Sequence, residues 1–235
     1  VGIADAWGVV KYCAIDRSGK LVVPAKYDKV FAPSGGGVRA QMKDQPHRIF
    51  DRTGRDITPP GIDFIGIQSE GMVRVWTGRK QGYMTTAGEV VIAPRFESGN
   101  EFKDGLARVG LAGKYGYVDK RGQTVVEPRY DVAEDFSDGL ALVKLEGKSF
   151  FIDKVGKVVL EPQADRVYPF SEGLAVARTA NKYGYLDKRG QWVIEPQFSF
   201  AQPFRNGLGG VSMGRASGYI TREGKFVWRS DGAAR

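Results

Sequence analysis

One histidine, His47, and one cysteine, Cys13, are the chain's whole supply of the two side chains most used for nucleophilic and general-base work near neutral pH. A Ser–His–Asp triad or a Cys–His pair built from one of each has no spare parts. A single cysteine also excludes an intrachain disulfide and a cysteine-based zinc site. Cys13 and His47 lie one repeat apart, so the fold could bring them together, but no catalysis is expected from them. His47, in Gln45-Pro46-His47-Arg48, reads as a solvated turn residue. Cys13 reads as a buried or half-buried structural thiol, since reactivity needs a depressed pKa and no histidine is near it in sequence.

Carboxylates are plentiful but recur in phase. Asp16, Asp51, Asp119, Asp153 and Asp187 each occupy a turn, where Asp bonds its own backbone. Glu127, Glu161 and Glu195 each precede a proline. A glycosidase needs one opposed pair with divergent pKa values, not a ring of equivalents. Ser34-Gly35-Gly36-Gly37 lacks the Lys-Ser/Thr and the following helix of a phosphate cradle, and is expected to be a flexible loop. No cofactor and no metal are expected, and the chain reads as a non-enzyme.

The elements behind this phasing are seven copies of one motif. A turn residue recurs at Asp16, Asp51, Thr85, Asp119, Asp153, Asp187 and Thr221, spaced by 35 and then by 34 residues. A glycine follows three residues later, from Gly19 to Gly224. The whole of 1–235 is read as a single repeat domain, with copies at about 2–36, 37–70, 71–104, 105–138, 139–172, 173–206 and 207–235. The second copy is the most degenerate. Each copy predicts a β-meander: a leading strand over Leu106 to Leu111, a middle strand over Tyr115 to Asp119 and a last strand over Gln123 to Glu127. Pro128, lacking a backbone donor, is expected to end the ladder. A fourth, short edge strand is expected around Tyr130 to Ala133. Nothing shows sustained helical periodicity.

The apolar columns state how the strands pack. One middle-strand column is Ile15, Phe50, Met84, Val118, Ile152, Leu186 and Ile220; its neighbour on the opposite face is Ala14, Ile49, Tyr83, Tyr117, Phe151, Tyr185 and Tyr219. A strand apolar on both faces belongs between two other sheets. Small residues at Ala4, Ala107, Ala141, Ala175 and Gly209 let neighbouring sheets approach, and Phe102, Phe136, Phe170 and Phe204 are expected to pin the linkers to the core. One copy buries too few apolar side chains to offset the entropy of ordering it, so the copies must stack. The fold class is therefore all-β, seven 34-residue meanders, with a closed β-propeller-like array preferred and an open stack of β-hairpin sheets as the alternative. Solution scattering separates the two.

The net charge is +8. Arg17, Arg52, Lys120, Lys154, Lys188 and Arg222 share one phase, and Glu70, Asp104, Asp138 and Glu172 another, so a basic edge and an acidic edge are expected. These keep an array soluble and could steer an acidic partner. The turn carboxylates offset the basic row, which argues against nucleic acid. No apolar run reaches the roughly 18 residues of a membrane span. A chain that begins at Val1 without Met is expected to be processed or trimmed, which leaves room for a removed targeting segment.

The middle-strand motif resembles the WG-repeat (KWG-repeat) family of bacterial proteins. Lys114-Tyr115-Gly116-Tyr117-Val118-Asp119 with Gly122, Pro128, Tyr130 and Asp131 carries the likeness, as does Lys182-Tyr183-Gly184-Tyr185-Leu186-Asp187 with Gly190, Pro196 and Phe198. Weaker copies are Gln81-Gly82-Tyr83-Met84-Thr85 and Ser217-Gly218-Tyr219-Ile220-Thr221. The namesake Trp is Tyr115 and Tyr183 here, and the four tryptophans stand at other phases. The resemblance implies a binding or scaffold role, at cell surfaces or in periplasmic or secreted systems.

Residues the array does not require are the better candidates for function: Trp7 and Trp76, the loop Phe31 to Gln45 and the irregular Thr58 to Gln68. Trp7 and Trp76 share a phase at the end of the leading strand, and Arg74 and Arg79 flank Trp76 as at an interface anchor. The basic turns Lys120, Arg121, Lys188 and Arg189 are the candidate charged contacts. The expected role is non-catalytic protein–protein interaction, in one version an immunity or adaptor protein that blocks a partner such as a toxin or effector. The alternative is a cell-envelope polysaccharide-binding module.

Overall fold

The computed structural model describes residues 1–4, 8–34 and 37–230. Every regular element among them is a β-strand, and no helix is long and apolar enough to cross a membrane. The strands form seven successive antiparallel sheets, two of three strands and five of four. The chain divides into two compact units, Val1–Gly113 with Tyr117–Thr124, and Lys114–Gly116 with Val125–Arg235. The all-β, seven-meander expectation thus holds.

The first sheet pairs Gly2–Ala4, Val10–Ile15 and Leu21–Tyr27, and the second Lys29–Ser34, Gly37–Gln41 and Arg48–Phe50. The third holds Phe64–Ser69, Met72–Thr77, Lys80–Thr85 and Val90–Phe96; the fourth Ser98–Gly99, Leu106–Leu111, Lys114–Asp119 and Thr124–Tyr130. The fifth holds Val132–Ala133, Ala141–Leu145, Lys148–Ile152 and Val158–Leu160; the sixth Arg166–Ser171, Leu174–Thr179, Lys182–Leu186 and Trp192–Phe198. The seventh holds Phe200–Ala201, Gly209–Met213, Ala216–Ile220 and Phe226–Arg229.

Two sequence expectations change. The linker strand at Val132–Ala133 joins the next sheet instead of closing its own, pairing with Val143 and Lys144. Ser34 and Gly37 pair as strand residues, while Gly35 and Gly36, the middle of the expected loop, lie outside the described residues. The last strand also runs through its proline. In the sixth sheet Tyr183 faces Phe198 and Tyr185 faces Ile194, so one residue, Gly184, opposes three, Glu195 to Gln197. Pro196 sits in that bulge, where no ladder hydrogen bond is asked of its nitrogen.

The bulge explains the motif glycine. A Cβ on Gly184 would lie 2.8 Å from Pro196 N, and one on Gly116 2.6 Å from Pro128 N. Where another residue takes this phase the last strand usually shortens. Phe150 leaves three residues, Val158–Leu160, and Arg48 leaves only the isolated Phe50–Asp56 bridge. Cys13 is the exception: Leu21–Tyr27 keeps full length beside it.

Turns behave as their residues predict. Asp119 Oδ1 accepts from the backbone N–H of Arg121 at 2.9 Å and of Gln123 at 2.8 Å, and Asp187 repeats this with Arg189 and Gln191. A second turn went unnoticed in the sequence: Asp104 and Gly105, with φ of 53° and 88°, make the tight hairpin that Asp-Gly favours.

Each core lies between successive sheets. Tyr185, Ile194, Phe204 and Ile220 form one such layer in the second unit; Tyr83, Ile92, Phe102 and Val118 form one in the first. Phe102, Phe136, Phe170 and Phe204 are all buried, as linker pins should be. Tyr83 and Tyr185 each anchor the next linker by donating from the hydroxyl, to Asn100 O at 2.7 Å and Gln202 O at 2.9 Å.

Candidate protein-binding surface

The degenerate second copy and the third sheet beside it build the first unit's least repetitive surface. Cross-strand pairing sets Arg39 opposite Phe31 in the second sheet and Trp76 opposite Phe64 in the third. The Arg39 guanidinium lies 4.0 Å from the Phe31 ring centre and 6.0 Å from that of Phe64. Phe64 meets Trp76 edge-on at 4.9 Å, and Arg74 stacks over Trp76 at 4.7 Å. Flat cations on aromatic faces are held rigid at low entropic cost. Phe64 is 43% exposed and Ile67 61%. Beside them a cleft of about 160 Å³ is lined by Phe31, Arg39, Ile67 and Gln68 among others.

The two arginines occupy equivalent positions, Arg39 opposite Ile49 and Arg74 opposite Tyr83. Each reaches the first strand of the following sheet. Arg39 donates to the carbonyls of Ile65 and Gly66, at 2.5 and 3.2 Å. Arg74 donates to the Gly99 carbonyl and, at 2.8 Å, to the Glu101 carboxylate. Burial lowers the Arg39 pKa, yet a guanidinium stays charged in a protein.

His47 is a correction. It is 3% exposed, not a solvated turn residue. The irregular chain after Gly61 folds over it: His47 N–H donates to Asp63 O at 2.9 Å, and Nδ1 lies 3.3 Å from Ile65 O. Its ring lies 4.1 Å from that of Phe64. Burial, the largest cause, pushes its pKa below the ordinary value. Its Nε2 and the Nε of Arg39 are buried without a hydrogen-bond partner among the described residues. Cys13 is buried, as expected, with Sγ 3.5 Å from the Val1 carbonyl.

The other sequence candidates fare differently. Trp7 lies outside the described residues. Trp76 is half-buried; Arg74 is held by Gly99 and Glu101; Arg79 is exposed in the adjoining turn. Lys120 pairs with Glu70 at 3.1 Å, while Glu70 also accepts from Gly105 N–H at 3.0 Å. In the second unit Lys188 donates to the Asp138 carbonyl, and Asp138 accepts from Gly173 N–H. At Lys120 and at Lys188 a basic-row side chain therefore meets an acidic-row residue of its own unit. Arg121 and Arg189 are exposed beside their turn aspartates. The carboxylates serve turns. Asp28 and Asp131 are held below the usual range first by Lys11 and Lys114, Asp16 and Asp51 by the Ser18 and Thr53 hydroxyls.

Phe31 and Arg39 fall in the stretch Phe31 to Gln45, and Phe64 and Ile67 in Thr58 to Gln68, both singled out as non-periodic without these residues being picked individually; the role of His47 was missed. The signal that marked these stretches was departure from the repeat; Arg48 at the motif-glycine phase was a further departure, beside His47.

A family model described as "WG containing repeat" matches residues 14–44, 82–115, 115–148, 150–183 and 183–215. No curated protein matches. Among solved structures, a eukaryotic initiation factor aligns with TM-score 0.54 at 11% identity, covering 97% of this chain and 72% of that one. BamB from Moraxella catarrhalis aligns with TM-score 0.47 at 11% identity, covering 98% and 87%. Hsv2 from Kluyveromyces lactis gives 0.44 at 10% identity, covering 80% and 71%. At 11% identity the likeness to the initiation factor is one of fold.

Proposed function

We propose, from the premise that this chain belongs to the WG-containing-repeat family, that it is a non-catalytic protein-binding module whose contact surface centres on Phe64, Ile67 and Trp76. Stacked repeats present extended surfaces suited to protein partners. The observation that carries the reading is the rigid Phe31–Arg39–Phe64–Trp76–Arg74 ladder with exposed apolar side chains along it. Aromatic and arginine side chains held in place beforehand make good anchors, because little freedom is lost on binding. In the version favoured here the chain is an immunity or adaptor protein, and a toxin- or effector-like partner inserts an apolar knob flanked by carboxylates.

The test is affinity capture with the product of the adjoining gene, followed by calorimetry on the purified pair. Micromolar or tighter binding, weakened about tenfold or more by Phe64→Ala, supports the reading; that loss corresponds to about 1.4 kcal/mol. Binding to a glycan array that disappears on Trp76→Ala would replace it with a polysaccharide-binding function.

A further inference from the structure

Within each unit, successive sheets meet by one recurring contact. The earlier sheet offers a middle-strand aromatic and a last-strand apolar residue. The later sheet sets its own middle-strand apolar residue and turn glycine against them. Tyr185 and Ile194 receive Ile220, and the Gly224 turn lies over Ile194, 3.5 Å from an added Cβ. Tyr83 and Ile92 receive Val118, with Gly122 over Ile92 at 3.0 Å. Phe151 receives Leu186, with Gly190 over Leu160 at 2.7 Å.

Both halves of this contact also occur unmatched. On the seventh sheet Tyr219 and Trp228 stand at the phases of Tyr185 and Ile194, yet they are 50% and 54% exposed against 0% and 5%. Leu208, at the phase of the buried Leu174, is exposed too. A cleft of about 210 Å³ opens there, lined by Ser212, Tyr219 and Trp228. Gly210 faces Tyr219 where Val176 faces Tyr185, which widens it. On the first sheet Ile15 stands at the phase of Leu186 and Ile220 but is 48% exposed, and an added Cβ on Gly19 meets nothing within 4 Å.

We propose that the outer face of the seventh sheet binds the outer face of the first sheet in a second copy of this chain, head to tail. Ile15 of one copy seats against Tyr219 and Trp228 of the other, as Ile220 does against Tyr185 and Ile194. The Gly19 turn covers Trp228. Arg17 then comes within reach of the Asn206 carbonyl, at the phase where Lys188 donates to the Asp138 carbonyl. The occupant is a like sheet because the register supplies both surfaces, knob and seat, from one sequence. Such a contact is heterologous, so it propagates to rings or filaments instead of stopping at a two-fold dimer.

Sedimentation velocity over a roughly hundredfold range of concentration tests this, since mass action must raise the assembled fraction. The average mass is expected to climb with concentration for the unaltered chain. Tyr219→Glu and Ile15→Glu should each give a monomer with unchanged circular dichroism. Mixing the two variants should restore a species of two chains and no larger, because each retains one intact face. A monomer at every concentration, the result expected if the first sheet instead seats on the seventh of its own chain, or assembly indifferent to both substitutions, overturns the proposal. Should either variant unfold, Gly19→Trp, at an exposed turn, is the second probe: assembly that survives it also overturns the proposal.

Discussion

Gly184 shows how much one missing Cβ determines. The bulge that admits Pro196 brings Ile194 O, Glu195 C and Pro196 N against the face where a side chain would start. Relief requires backbone movement, not a rotamer change. Gly184→Ala is therefore expected to cost roughly 2–3 kcal/mol in urea unfolding. A loss no larger than that of an exposed surface alanine would contradict the bulge geometry. His47 gives a pH signature. Burial lowers its pKa in the folded state, so around pH 6 the unfolded chain binds more protons. The stability linked to His47 is present above its ordinary value of 6.5 and is lost as pH falls through that value toward the depressed one. The urea midpoint should drop between about pH 7.5 and 5.5, and His47→Gln should flatten the drop. Asp16 and Asp51, whose pKa values are lowered first by the Ser18 and Thr53 hydroxyls, titrate below this window. An equal drop in the variant would place the titration elsewhere.

At the scale of elements, the three-stranded meander was legible because its signals are local: phased turn residues, alternating apolar columns and a glycine at each bend. What escaped depended on contacts the local sequence does not carry. Two-residue strands such as Val132–Ala133 have no periodicity, and stacking decides which sheet they join. The proline rule misled because it assumed a regular ladder, whereas the bulge removes the need for the donor. His47 looked solvated because nothing nearby announces that 61–65 will cover it. Trp76 and its arginine were legible as neighbours in one strand; Arg39 and Phe64, from different sheets, were not. The glycine rule makes a prediction at this scale. In hydrogen exchange, amides of Val158–Leu160, beside Phe150, should exchange faster than those of Trp192–Phe198, beside Gly184. Equal protection would show that the short strand is not the weaker one.

Across the molecule, the array turns a short motif into surfaces, and function follows from where the motif lapses. Periodic carboxylates and lysines are engaged with turns and with each other, so they contribute solubility and little specificity. The aperiodic Phe31–Arg39–Phe64–Trp76 ladder is where a partner gains rigid apolar area. Exposed side chains at the basic turns, Arg121 and Arg189, are expected to alter association rate and salt dependence more than affinity. The most direct measurement is a calorimetric alanine scan against the captured partner at near-physiological salt. The account predicts losses of about tenfold or more at Phe64 and Trp76, and less than about twofold at Lys120, Arg121, Lys188 and Arg189. Even losses across the basic turns, steeply salt-dependent and absent at Phe64 and Trp76, would contradict it.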